Sequence, residues 1–195
     1  MDLKESDCDI LTPSLRILGH ITASGNDEYT SLLVDIGLIR VVSKYLNHGS
    51  YFFRKEICWI VGNIVCTDKR NTNLVMKEET IYDNLRKIAI SDSQIVRHEA
   101  LYAFANLASR AGMILTRDLL EKKIIATLCF GLKHFPQKSR LLWFTLQGLE
   151  NLFSVANHFD EDENVAVSRF HELGGCEDLE KLQFHTEKKI FELVN

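Results

Sequence analysis

An acidic, an aromatic and an amide side chain recur at the same offsets, i, i+3 and i+7, in two segments of this 195-residue chain. The two sets are Glu56, Trp59, Asn63 and Glu99, Tyr102, Asn106. On an α-helix these offsets place the three side chains on one stripe. An aromatic face holds the aliphatic stem of a lysine or arginine and attracts its cation by ~0.5–1 kcal/mol at exposed sites. Because carboxylates pair with such cations and amides bind main chain, the stripes predict a site for extended basic peptides.

A purely structural role is the alternative for each residue taken alone. Trp59 by itself fits a helix core, and Asn63 by itself fits a cap or a bridge to a neighbouring carbonyl. The repetition favours a binding stripe, because packing gives no reason to place an amide and a carboxylate on one stripe twice. In a later copy, Gln147 and Asn151 stand at the aromatic and amide offsets without an aromatic ring. Trp143 lies one turn earlier, and we predict that it serves packing.

The stripes belong to a longer repeat that runs through the chain. The aligned polar residues recur at intervals of 43, 43 and 45 residues, in the segments LRILGHITAS (15–24), CWIVGNIVCT (58–67), LYAFANLASR (101–110) and LQGLENLFSV (146–155). Periods of about 40–47 residues are typical of HEAT and armadillo arrays. Each period contains two short apolar-periodic stretches and then a longer one, which favours three helices per repeat. We therefore predict an all-α armadillo-repeat superhelical solenoid, with about four repeats and an N-terminal partial repeat.

The period also predicts the organisation of the chain as one continuous solenoid domain. Its parts are a partial repeat with only a third helix (1–25), three armadillo repeats (26–67, 68–110 and 111–157) and a C-terminal capping repeat (158–195). We expect the first helix to begin with Thr12 as N-cap and Pro13 at its first position. Since a lone third helix cannot bury its own apolar face, we expect the chain to be the C-terminal part of a longer array. The acidic run at 160–163 is predicted to be a solvated loop.

Composition excludes several classes of function. Two prolines and ten glycines are too few for the turns of a β-sandwich. With 23 basic and 27 acidic side chains and a net charge of −4, no broad basic field exists to bind nucleic acid. No apolar run is long enough to span a membrane. Five widely spaced cysteines and seven scattered histidines form no zinc pattern, and nucleotide-binding and hydrolase motifs are absent. We predict a non-enzymatic protein without metal or cofactor.

The third-helix segments resemble a known family. TPSLRILGHI, RKEICWIVGNIV and RHEALYAFANLAS are similar to successive third helices of importin-alpha (karyopherin-alpha), and HELGGCEDLEKLQFHTEKKIFELV resembles the last repeat of that family. The resemblance implies a nuclear import adaptor that shuttles between cytoplasm and nucleus and binds basic nuclear localisation signals in its minor groove. It further implies that the C-terminal repeats bind the nuclear export receptor or a nucleoporin. Importin-beta would bind only through an N-terminal segment that this sequence lacks.

The resemblance carries over residue by residue. Glu56, Trp59 and Asn63 match one full signature of the family, and Glu99, Tyr102 and Asn106 match the next with tyrosine in place of tryptophan. Two further residues, Arg16 and His20, stand where the minor site of the family has an arginine and an asparagine. These departures predict a weaker or altered minor site. The alternative is a general armadillo scaffold for acidic or mixed partners, whose grooves tend to be lysine-rich, so the carboxylates discriminate between the two.

Overall fold

The computed structural model describes residues 5–159 and 164–194, which form thirteen α-helices and no strand. The prediction of an all-α chain is confirmed. The helices are α1 (Glu5–Thr22), α2 (Asp27–Asp35), α3 (Leu38–Tyr45), α4 (Tyr51–Ile64), α5 (Lys69–Lys77), α6 (Glu79–Ser91), α7 (Gln94–Ser109), α8 (Met113–Glu121), α9 (Ile124–His134), α10 (Ser139–Ala156), α11 (Val165–Glu172), α12 (Gly175–Leu182) and α13 (Lys188–Val194).

Most of the helices fall into sets of three along the chain. In each of the sets α2–α4, α5–α7 and α8–α10 the last helix is the longest, with 14, 16 and 18 residues. We call α1, α4, α7 and α10 the third helices. Three helices, α2, α5 and α11, begin behind a capping side chain at Asn26, Asp68 and Asn164, whose oxygen accepts hydrogen bonds from backbone N–H groups in the first turn. The first helix of the third set, α8, begins behind Gly112 without a side-chain cap.

The chain divides into two compact units, one extending to Ala103 and the other beginning at Phe104. The boundary falls within α7. In the first unit α4 packs against α1 and α3, and in the second α10 packs against α8, α9, α11 and α13. The predicted division into repeats by residue range stays a prediction.

The apolar arc of α4 is buried. The side chains of Ile57, Ile60 and Ile64 are fully buried. On the neighbouring stripe Glu56 is also buried, whereas Trp59 and Asn63 keep part of their surface exposed. No helix in the described part of the chain is long and apolar enough to cross a membrane.

Two further expectations concern the start of α1 and the acidic run at 160–163. The predicted start of α1 at Thr12 and Pro13 is wrong, because α1 begins at Glu5 and contains Pro13. A proline inside a helix removes one backbone hydrogen bond, but Pro13 is exposed and the turns on both sides of it stay helical. The acidic run at 160–163 lies outside the described residues.

Candidate functional site

Trp59 on α4 is held in place by the preceding third helix. Its indole lies on Gly19 of α1 so closely that a methyl group added there would be 2.2 Å from Trp59 Cζ3. The His20 ring meets the indole edge-on, with 5.3 Å between the ring centroids. Trp59 nevertheless keeps part of its surface exposed. The ring therefore has a fixed position, and the residue keeps some surface exposed to solvent.

The Asn63 amide joins the last turns of two third helices. Its Nδ2 donates to Gly19 O at 3.3 Å and to Thr22 Oγ1 at 3.2 Å. Since a carbonyl oxygen only accepts hydrogen bonds, the nitrogen must face α1. The amide thus makes the bridge to a neighbouring carbonyl that was the structural alternative for Asn63. It offers a ligand chiefly its Oδ1 acceptor.

The second unit repeats this bridge at Asn151. Its Nδ2 donates to Ala108 O at 2.8 Å and to Ala111 O at 2.9 Å. Here too the nitrogen donates to carbonyl oxygens at the end of the preceding third helix. Of the other residues on α10, Gln147 is half-buried, and the half-buried Trp143 meets Phe144 edge-on at 4.9 Å between centroids.

Glu56 is buried and already faces two cations of the chain. Its side chain is 4% exposed, and its Oε1 lies 3.6 Å from Arg16 Nε and 3.3 Å from Lys55 Nζ. The Arg16 side chain is 54% exposed. The structure thus gathers a group that we call the α4 cluster. Its members are Arg16, His20, Glu56, Trp59 and Asn63.

Glu99 and Tyr102 on α7 have different surroundings, and we call them the α7 pair. The Glu99 side chain is 21% exposed, and its Oε1 lies 3.9 Å from His98 Nδ1, a cation only when protonated. The His98 ring meets the partly exposed Tyr102 ring edge-on, with 4.9 Å between centroids. Asn106, half-buried on the same helix, falls in the second unit. The first unit therefore holds seven of the eight predicted site residues.

An ion pair joins α4 to the connection between α6 and α7. Arg54 donates from Nε and Nη2 to the Asp92 carboxylate at 2.5 and 2.9 Å, and from Nη1 to His48 O at 2.7 Å and Gly49 O at 2.8 Å. The hydrogen bonds to Asp92 raise the pKa of Arg54, and those from Arg54 lower the pKa of Asp92. This pair fixes Asp92, which lies two residues before α7, the helix that carries Glu99.

Sequence reasoning missed four residues that shape the site. Gly19 and Thr22 receive Trp59 and Asn63 on α1, while Lys55 and His98 each stand beside a site carboxylate. One signal was available in the sequence, because a glycine precedes the aligned polar residue both at His20 and at Asn63. Such a small residue marks a place where another group approaches the helix.

The described residues contain no group of three histidine, cysteine or acidic side chains that could hold a metal ion. Cys58, Cys129 and Cys176 are thiols outside any disulfide. Burial raises the pKa of the Cys129 thiol to about 12 and raises that of Cys58 as well. Both thiols are therefore neutral at physiological pH, and neither has the thiolate character of a nucleophile.

No protein-family model and no curated protein sequence matches the chain. Solved structures do resemble it, each over 98% or more of its length. They include computationally designed armadillo repeat proteins for modular peptide recognition, with a TM-score of 0.81, 20% identity and 75% of that chain covered. They also include a designed armadillo repeat protein in complex with the peptide (KR)4, with a TM-score of 0.68, 22% identity and 92% coverage, and an engineered protein with a TM-score of 0.79, 23% identity and 73% coverage. These similarities do not distinguish importin-alpha from other armadillo proteins. They establish the fold, which is an all-α armadillo-repeat solenoid.

Proposed function

We propose that this chain is a non-enzymatic binding protein that holds extended peptides rich in lysine and arginine. The observation that carries the proposal is Trp59, an indole fixed by Gly19 and His20 and still partly exposed. A rigid aromatic residue with some exposed surface suits the stem and cation of a basic side chain. The α7 pair provides a second aromatic ring beside a partly exposed carboxylate.

The structural neighbours support the same class of ligand. One of the designed armadillo repeat proteins is in complex with the peptide (KR)4, which consists of alternating lysine and arginine. Glu99 supplies the acceptor for such a cation, since its ion-pair contact is with a histidine at 3.9 Å. An amide such as Asn63 adds main-chain recognition through the oxygen that does not face α1.

The finer form of the proposal follows the resemblance to importin-alpha. In that form the chain is an adaptor for basic nuclear localisation signals and shuttles between cytoplasm and nucleus. Its C-terminal repeats serve the export receptor or a nucleoporin, and importin-beta is engaged through a segment outside this sequence. The adaptor role is tested by a pull-down of a reporter protein that carries a basic localisation signal. The control is the same signal with glutamine in place of its lysines, and equal capture of both reporters would contradict the role.

The ligand class is tested by titrating (KR)4 onto the Trp143→Phe variant, in which Trp59 is the remaining tryptophan. We expect a saturable change in Trp59 emission that weakens between about 0.05 and 0.3 M salt, because exposed charge pairs are screened. An acidic peptide of the same length should produce no change. Tyr102→Ala should weaken binding about five-fold, while Tyr29→Ala, which alters an exposed tyrosine on α2, should not. Equal binding of the acidic peptide would support the general scaffold instead.

A further inference from the structure

Together with Lys55, the α4 cluster carries a net positive charge despite its carboxylate. Arg16 and Lys55 are two cations, and both lie within 3.6 Å of the single anion Glu56. Glu56 is buried, whereas Arg16 is more than half exposed. A ligand at this position therefore meets the cation first.

Arg16 retains the capacity to bind an anion. Its contact with Glu56 runs through Nε at 3.6 Å, which is longer than a hydrogen bond. A guanidinium has five N–H donors in a fork that fits a carboxylate through two parallel bonds. An aspartate or glutamate of a bound peptide thus finds a partner at Arg16.

One repeat later the charge has the opposite sign. The residues 43 positions after Arg16 and Lys55 are Trp59 and His98, so neither fixed cation recurs beside Glu99. The carboxylate of Glu99 is also more exposed than that of Glu56, at 21% against 4% of the side chain. This position attracts a lysine or arginine of the ligand.

We infer that the peptide surface of the first unit is bipolar and selects an extended peptide with an acidic side chain at Arg16 and a basic one at Glu99. The inference rests on the proposed peptide-binding function and names the ligand more closely. Packed helices lie 8–10 Å apart, so the two steps from α1 to α7 span roughly 16–20 Å. An extended chain advances about 3.3 Å per residue, which places the two ligand charges about six residues apart.

Three ten-residue peptides of one composition test the inference on the Trp143→Phe variant. Two have a pair of aspartates near one end and a pair of lysines near the other, in either order, and the third alternates the four charges. We expect one of the two polarised peptides to bind about five-fold more tightly than the alternating isomer at about 0.05 M salt. Equal affinity of all three would overturn the inference.

Variants of the chain assign the preference to Arg16. Arg16→Gln should reduce it to less than two-fold, and Arg16→Lys should restore part of it. Arg40→Gln is the matched control, because Arg40 is an exposed arginine on α3, and it should leave the preference intact. A preference that survives Arg16→Gln would overturn the inference.

Titration of (KR)4 on the same chain separates this inference from the proposed function. If (KR)4 binds and the polarised peptides show no preference, only the bipolar inference fails. If (KR)4 does not bind, the proposed function fails, and the inference fails with it.

Discussion

Glu56 and Glu99 occupy the same position of the repeat, 43 residues apart, but their burial and their ion-pair partners differ. Glu56 is buried between Arg16 and Lys55, whereas Glu99 is partly exposed beside His98. The difference arises from two neighbouring positions. The residue 40 positions earlier is Arg16 for Glu56 but Trp59 for Glu99, and the residue directly before the glutamate is Lys55 in one case and His98 in the other. The period therefore determines where a side chain lies, and its neighbours determine whether that side chain is already paired with cations of the chain.

The glycines that precede the aligned polar residues differ in the same way. The indole of Trp59 lies on Gly19, whereas the nearest atoms to Gly62 belong to Ala103, and a methyl group at Gly62 would be 3.5 Å from Ala103 Cα. One helix contact thus depends on the absence of a side chain, and the other would tolerate a methyl group.

The largest effect is expected for Gly19→Ala, compared with Gly62→Ala. The added methyl at Gly19 overlaps the Trp59 ring, and such overpacking costs up to about 3 kcal/mol of unfolding free energy. At Gly62 the methyl makes ordinary contact, and replacing glycine in a helix gains up to about 1 kcal/mol. Denaturant unfolding of the two variants measures the contrast, with Trp59 emission followed in the Trp143→Phe background. Equal effects would mean that Trp59 does not rest on Gly19.

A smaller effect is expected when the Arg54–Asp92 pair is broken by Asp92→Asn. Charge-assisted hydrogen bonds contribute about 2 kcal/mol each. Asparagine keeps one of the two oxygen acceptors, so the variant loses one of the two bonds and should be less stable by about 2 kcal/mol at pH 7. Because Arg54 lowers the pKa of Asp92 in the folded state, the contribution is complete above about pH 4, the usual pKa of aspartate. It is lost as the pH falls through the lower folded pKa.

Thermal unfolding between pH 7 and pH 2.5 checks this pH dependence. The stability difference between the wild type and Asp92→Asn should shrink only below about pH 4. The control is Asp83→Asn, at an exposed position on α6, which should show no such change. A difference that shrinks above pH 5 would contradict the assignment to Asp92.

The smallest effect on stability is expected at the amide bridge. Asn63→Ala removes the contacts of Nδ2 with Gly19 O and Thr22 Oγ1 and should cost about 1 kcal/mol. Asn63→Asp should cost more than alanine, because it places a carboxylate against a carbonyl oxygen that only accepts hydrogen bonds. Chemical unfolding at pH 7 measures both variants. If Asn63→Asp were as stable as the wild type, the amide would not bridge to α1.

The sequence predicted the armadillo-repeat fold, because the intervals of 43, 43 and 45 residues and the apolar periodicity are visible without a structure. It also placed Glu56, Trp59 and Asn63 on one stripe, because helix geometry fixes those offsets. It did not predict that Glu56 pairs with Arg16, because that contact joins residues 40 positions apart on two helices. The orientation of the Asn63 amide likewise depends on a carbonyl of another helix. The start of α1 was missed because Pro13, a common first residue of helices, here lies inside one.

The two glutamates are expected to differ most in whether they receive a basic side chain of the ligand. The deciding measurement is the Kd of (KR)4 for Glu99→Gln and for Glu56→Gln at about 0.15 M salt, where charges more than about 8 Å apart are largely screened. We predict that Glu99→Gln weakens binding about five-fold and that Glu56→Gln changes it less than two-fold. A larger loss for Glu56→Gln, or an equal loss for both, would contradict the account.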